Sequence, residues 1–233
     1  SEAGTAREVY GPNMSETPAK PVALETRETG DHGRRFSPSV ARNREPIRDV
    51  FAAHVATTGR VLEVASGTGE HGAFLTDAFD GLNWTYSDID PASLDSQRAW
   101  VSAAGHDRLK GPLVLDASMA DWGVAESVRP WDVLVSINMI HIAPMAAVEG
   151  LFAGAGRLLR PGGRLFLYGP YGREGIMAPS NARFSEDLKQ RNPAWGVRDL
   201  DQEVLPLASL ASLVLLDVVV MPANNLSVIF ERA

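Results

Sequence analysis

The chain has 233 residues, 45% of them hydrophobic, and a formal net charge of −7. That length suits one α/β domain with a substantial core, and the acidic balance argues against a broad phosphate-binding surface, so nucleic acid is not the expected partner. The absence of cysteine rules out disulfides, a thiolate nucleophile and Cys-ligated zinc, and no run is long and apolar enough to span a bilayer; with first residues unlike a signal peptide, a cytoplasmic protein without a membrane partner is expected.

Residues 1–33 are rich in Glu, Thr, Pro and Gly and poor in bulky apolar side chains, so they are expected as a flexible arm or lid outside a single domain over 34–233. From 39 to 55, Val40, Ile47, Val50, Phe51 and Val55 recur at helical spacing, with Pro46 placed to split or start the helix. Strand and helix signals then alternate, the pattern of a parallel sheet with helices on both faces. Strands are expected at 60–65, 83–88, 113–116, 131–137 and 164–168, and helices at 70–79, 91–104 and 143–159, the last stopped by Arg160-Pro161-Gly162-Gly163. Two further apolar runs, 213–221 and 226–230, are joined by Pro222-Ala223-Asn224-Asn225. So short a link requires an antiparallel hairpin.

Val61-Leu62-Glu63-Val64-Ala65-Ser66-Gly67-Thr68-Gly69-Glu70-His71-Gly72 runs from an apolar strand through an acid into a glycine turn and then a helix. Gly67 and Gly69 allow a sharp turn and the close approach of a ligand, and the helix start offers free N–H groups, which is the design of a nucleotide-cofactor loop. Gly67-x-Gly69-x-x-Gly72 also fits the dinucleotide fingerprint, and Asp88, nineteen residues after Gly69 at the end of the second strand, can accept hydrogen bonds from ribose hydroxyls in either case. The acid separates the two. Glu63, four residues before Gly67 and six before Gly69, resembles the acid of the acid-x-Gly-x-Gly-x-Gly motif of class I S-adenosylmethionine (SAM)-dependent methyltransferases, with Ala65 in place of the first glycine.

More blocks narrow the resemblance. Arg35-Phe36-Ser37-Pro38-Ser39, Arg42-Asn43-Arg44-Glu45-Pro46-Ile47, Asn138 to Ile142, Asn181-Ala182-Arg183-Phe184, Trp195-Gly196-Val197-Arg198-Asp199-Leu200 and Met221-Pro222-Ala223-Asn224-Asn225-Leu226 are similar to those of the methyltransferase-like protein 26 family, in this order from about residue 34 to residue 230. The resemblance implies a Rossmann-like class I methyltransferase: a seven-stranded, mostly parallel sheet with an antiparallel C-terminal strand and helices on both faces. It also implies SAM as cofactor and S-adenosylhomocysteine (SAH) as its product, but supplies no substrate; with the acidic balance counting against a nucleic-acid acceptor, methyl transfer to a small molecule by in-line displacement is expected. The implied cofactor set is Glu63, Ala65, Ser66, Gly67, Gly69, His71, Asp88, Ile89, Asp116, Ala117 and Asn138, with Asp116 facing the adenine amino group.

Asn138 and His141 leave the fourth strand at the carboxyl edge, where open α/β sheets place their chemistry. His141 is the candidate general base for a hydroxyl or amine acceptor, and Tyr171, in the loop Tyr168-Gly169-Pro170-Tyr171-Gly172, is expected over the pocket as a second catalytic residue. Arg34, Asn43, Arg183 and Asn225 are candidate substrate contacts, the arginines favouring an acceptor with a carboxylate or phosphate. Asn138-Met139-Ile140-His141 lacks the two prolines of amide-directed nucleic-acid methyltransferases. In-line transfer requires no metal, and none is expected. Two other readings stay open: a nicotinamide-dependent oxidoreductase, against which the terminal hairpin counts, and a non-catalytic SAM-fold scaffold. The acceptor atom, its identity and the oligomeric state are not legible.

Overall fold

A computed structural model describes residues 28–233; most of the arm expected over 1–33 lies outside the described residues. Strand β1 (Glu28–Thr29) pairs antiparallel with β2 (Arg35–Phe36) ahead of helix α1 (Pro38–His54). The alternation that follows is β3 (Thr58–Glu63), α2 (Glu70–Ala78), β4 (Gly81–Asp88), α3 (Pro91–Ala103) and β5 (Leu109–Val114). After them come α4 (Val124–Ser127), β6 (Trp131–Ile137), α5 (Met145–Leu158), β7 (Leu159–Pro170) and α6 (Pro179–Arg191). A wide helical turn (Leu200–Val204) leads into α7 (Leu205–Leu210), and β8 (Leu213–Met221) and β9 (Asn225–Arg232) close the chain.

The long strands form one seven-stranded sheet in the order β5-β4-β3-β6-β7-β9-β8. The strands β3 to β7 pair in parallel, and β9 runs antiparallel to both β7 and β8. Consecutive residues serve opposite faces. Leu62, Leu134 and Leu165 enter the core beneath Leu151 and Phe152 of α5, whereas Val61, Val133 and Phe166 pack with Phe51 of α1 and Leu75 of α2. Burial on both faces explains why these strands read as unbroken apolar runs. The strand order reverses between β3 and β6, which opens the crevice where open α/β sheets bind ligands.

Some boundaries differ from expectation. Helix α1 passes unbroken through Pro46, because its buried stripe of Val40, Asn43, Ile47 and Phe51 outweighs the ~3 kcal/mol that an interior proline costs. Strand β5 begins at Leu109 and stops before Asp116, leaving the acid in the turn beyond it. Helix α6 has no counterpart among the expected elements: its inward residues include Asn181 and Ser185 beside Leu188, so it lacks the apolar periodicity that announces a helix. It places Asn181 and Arg183 on a helix, whereas the sequence suggests a loop. The terminal hairpin forms with a tight helical turn over Pro222–Asn224, and Asn225 already pairs with Met221 and Pro170.

Candidate active site

The glycine loop leaves β3 through three residues in the left-handed region, Ala65 (φ 58), Gly67 (φ 59) and Gly69 (φ 90). At Ala65 the side chain makes this conformation cost roughly 1 kcal/mol, which explains why related motifs carry glycine there. Neighbouring strands and helices hold the loop. Ser66 donates its N–H to the Ser87 carbonyl at 2.9 Å and accepts the Ser87 N–H on Oγ at 3.1 Å. The Thr68 carbonyl accepts from Ser96 Oγ at 2.7 Å, and the Gly69 carbonyl accepts from the Tyr86 hydroxyl at 2.5 Å. Gly72 lets α2 lie directly on β4, because a Cβ there would stand 2.6 Å from Trp84 Nε1 and 2.7 Å from Tyr86 Cε1.

Glu63 is buried behind this loop. Trp84 Nε1 donates to its Oε1 at 3.2 Å, and Ser87 Oγ donates to its main-chain carbonyl at 2.6 Å. Loss of solvent, with a smaller push from the Asp88 charge, raises its carboxyl from 4.5 to about 8. The folded protein therefore holds a proton that the unfolded chain releases above pH 4.5, so stability falls as pH rises from 4.5 towards 8. Glu63→Gln keeps the carbonyl that faces Trp84 and removes this linkage. In urea melts its stability relative to wild type should climb between pH 5 and 8, by at most about 1.4 kcal/mol per pH unit; parallel profiles would show that Glu63 is ionised in the fold.

Asp88 ends β4 with its carboxylate fully used. Oδ2 accepts from the Gly67 N–H at 2.9 Å and Gln97 Nε2 at 3.2 Å, and Oδ1 accepts from the N–H groups of Ile89 at 2.8 Å and Asp90 at 3.2 Å. Asp90 caps α3, accepting the Ser93 N–H at 2.9 Å, with Pro91 at the first helical position. Ile89 stands 60% exposed beside the acid. Asp116 is exposed and caps its own turn, accepting from the Ser118 N–H at 2.9 Å and Oγ at 2.6 Å, while Ala117 is buried against α5.

Across the switch point, Asn138 turns the chain out of β6 at φ 57, and its N–H donates to the Tyr168 carbonyl at 2.8 Å. Gly169 has no side chain here, so Asn138 Oδ1 and the His141 ring both come within 3.4 Å of where a Cβ would sit. His141 is 4% exposed, packs edge-on against Phe184 of α6, and has an Nδ1 that is sealed from solvent without a hydrogen-bond partner. Burial, then the Arg198 charge, lowers its pKa from 6.5 to about 4, so the imidazole is neutral at pH 7. Arg198 also holds the loop around it, donating to the carbonyls of Ile140 at 3.2 Å and Ala143 at 2.8 Å, and the Gly196 N–H donates to the His141 carbonyl at 3.0 Å.

A second polar cluster gathers around the end of β7. His71, in the first turn of α2, meets Asn43 Oδ1 of α1 through Nε2 at 2.8 Å, and burial lowers its pKa to about 4. An amide oxygen can only accept, so this contact places the neutral ring's proton on Nε2. The Tyr168 phenol faces Asn225 and Asn43, and burial pushes it up to about 12. Asn181 Nδ2 donates to the Asn224 carbonyl at 3.0 Å, which ties α6 to the terminal hairpin. Arg34 lies elsewhere, its guanidinium 4.9 Å above the Trp100 ring of α3, and Arg183 is exposed on α6. Tyr171, expected over the pocket, is fully buried in the core cluster that contains Leu167, Ala178 and Leu200, because the loop after β7 turns inward. Residue pattern does not single out Tyr168, Gln97, Arg198 or Phe184. Gln97 alone leaves a trace, as an amide on the inward stripe of a helix.

Among the described residues, no group of three or more His, Cys, Asp or Glu side chains is arranged to hold a metal ion, and no helix is long and apolar enough to cross a membrane. A family model described as protein of unknown function (DUF938) matches residues 34–232. Solved structures of similar fold include an O-methyltransferase family protein from Burkholderia thailandensis, with 16% identity and a TM-score of 0.69. An O-methyltransferase family 2 protein from Planctomyces limnophilus in complex with apigenin shares 18% identity with a TM-score of 0.68, and human N-acetylserotonin methyltransferase in complex with SAM shares 12% with 0.67. Each match covers 84% of this chain and 57%, 59% and 53% of those chains respectively, so the chain spans a little over half their length. What they share with it is the class I methyltransferase fold.

Proposed function

The chain belongs to the DUF938 family, and from its class I methyltransferase fold we propose that it is a SAM-dependent methyltransferase acting on a small-molecule acceptor. The observation that carries this reading is the place of Asp88. It ends the strand next to the glycine loop and bonds that loop's Gly67 N–H, in a sheet whose β9 is antiparallel, where a dinucleotide-binding sheet would stay parallel. The blocks that resemble methyltransferase-like protein 26 support the same reading.

The residues present suit such a cofactor. The loop of Gly67 and Gly69 offers bare backbone, Asp88 and Asp116 stand at neighbouring strand ends, and Ile89 and Met119 hold large apolar side chains open to solvent, 60% and 58% exposed, as an adenine face requires. In this reading Asp88 holds the ribose, and Asp116 with Ile89 and Ala117 holds the base. The bound cofactor supplies an activated methyl group on a sulfonium. The protein must then seat the acceptor in line with it and exclude water. We assign the seating of the acceptor to His141, because its neutral ring, in the tautomer protonated on Nε2, offers the unpartnered Nδ1 to the hydrogen bond of an O–H or N–H acceptor, and a ring held near 4 orients that group more than it stores its proton. Asn43, Asn138, Tyr168 and Asn225 supply neutral polar contacts, and Arg183 is the candidate cation for an acceptor bearing a carboxylate or phosphate. Tyr171, buried in the core, is left out of this assignment.

Titration calorimetry of the purified protein with SAM, SAH and NADH tests the cofactor. Micromolar binding of the two adenosyl ligands, without NADH binding, is expected. NADH binding alone would return the loop to a dinucleotide role.

A further inference from the structure

The Asp88 carboxylate poses a problem for any ribose that approaches it. Two carboxylate oxygens offer about four lone-pair positions, and the chain's own donors already take four: Gly67 N–H, Gln97 Nε2, Ile89 N–H and Asp90 N–H. A sugar hydroxyl can bond this carboxylate only if one of them yields. Ile89 and Asp90 are fixed by the turn that starts α3, and Gly67 is fixed by the loop bonds of Ser66 and Thr68. Gln97 is different. It reaches Asp88 through a side chain and not through the main chain, its bond to Asp88 is with that of Asp90 the longest of the four at 3.2 Å, and its Nε2 has a second partner in the Gly67 carbonyl at 2.9 Å.

Gln97 is also left unsatisfied. The residue is fully buried, yet Oε1 has no hydrogen-bond partner. Turning the amide over does not help, because both atoms that face Nε2 are acceptors and would then face an oxygen. A buried amide oxygen without a partner is unfavourable in a finished core. It also means that the amide has no bond at Oε1 to break when it shifts toward an arriving hydroxyl, so the shift gives up one long contact alone.

We propose that Gln97 is a cofactor-binding residue that shares the ribose with Asp88: it releases Asp88 Oδ2 to a sugar hydroxyl and donates Nε2–H to that same hydroxyl, while its other N–H keeps the glycine loop in place through Gly67. The inference rests on the methyltransferase reading and adds a residue that reads the sugar. It also gives Gln97 a part in specificity, since a ligand lacking that hydroxyl leaves both Asp88 and Gln97 with their present bond and gains nothing.

Calorimetry with SAH and its 2′-deoxy and 3′-deoxy analogues tests it on wild type, Gln97→Met and Gln97→Glu, with thermal melts to confirm folding. Met keeps the length and removes both donors; Glu keeps the shape and replaces the donating NH2 with a second acceptor oxygen. In Gln97→Met, SAH affinity should fall about tenfold, and the preference for SAH over one deoxy analogue should shrink by a similar factor. Should Met not fold, Gln97→Glu carries the test, with the same loss of preference expected. If either folded variant weakens all three ligands equally, or none, Gln97 only braces the loop and the proposal is overturned. If wild type binds no SAH, the methyltransferase reading fails first, an outcome distinct from unchanged sugar preference in a protein that binds SAH.

Discussion

Asp88→Ala should weaken SAH binding by at least about tenfold, because the hydrogen bond of a ribose hydroxyl to a charged carboxylate contributes about 1.5–3 kcal/mol. The side chain is 7% exposed and organises its surroundings before any ligand arrives. Its removal takes the side-chain partner from the Gly67, Ile89 and Asp90 N–H groups and from one N–H of Gln97 Nε2, so the melting temperature should drop as well. Asp88→Asn is the more telling variant. All four contacts are donors, two on each oxygen, so an amide turned either way sets its own N–H groups against two others. The expected result is therefore a binding loss close to that of alanine, despite the near-identical shape. SAH affinity within threefold of wild type in a folded Asp88→Asn protein would mean that the ribose is held elsewhere.

The same residue shows what the sequence could disclose. Asp88 is legible because strand, acid, proline and helix follow one another, and the spacing from Gly69 places a carboxylate at the strand end. Glu63, Gly67 and Gly69 are legible for the same local reason. Tyr168 and Gln97 are not, since their meaning depends on partners far along the chain: Asn43 of α1 and Asn225 of β9 for the phenol, Gly67 for the amide. Tyr171 illustrates the converse. A loop rich in Gly and Pro suggests exposure, but this one folds inward and buries the ring. Helix α1 tolerates Pro46 because burial of Ile47 and Phe51 is a tertiary effect that no local rule contains. Local turn chemistry and alternation thus expose the glycine loop and the strand-end acids, whereas the polar cluster proposed for the acceptor is assembled from α1, α6 and the terminal hairpin by contacts that spacing does not encode.

Gly150→Ala should be strongly destabilising for the addition of one methyl group, and the damage should fall at the cofactor edge. Gly150 lies in α5, and a Cβ there would stand 1.8 Å from the Ala117 carbonyl oxygen, 2.8 Å from its carbon and 3.1 Å from Ser118 Cα. All three are backbone atoms, so no side chain can swing aside. The turn they belong to is braced from the other side, where Asp116 accepts from both the N–H and the hydroxyl of Ser118. Either the turn leaves the helix or the helix leaves the sheet, and overpacking of this kind costs about 1–3 kcal/mol or more. A loss of several degrees in melting temperature is expected. Gly105→Ala, with nothing within 4 Å of its added methyl, should leave the melting temperature unchanged and serves as the control. Because Asp116 and Ala117 are assigned to the adenine side, SAH affinity of Gly150→Ala, measured well below its melting temperature, should fall about tenfold, whereas Gly105→Ala should bind as wild type does. A destabilised Gly150→Ala protein with unchanged SAH affinity would detach the 116–118 turn from the cofactor and leave the close approach of α5 as a packing feature alone.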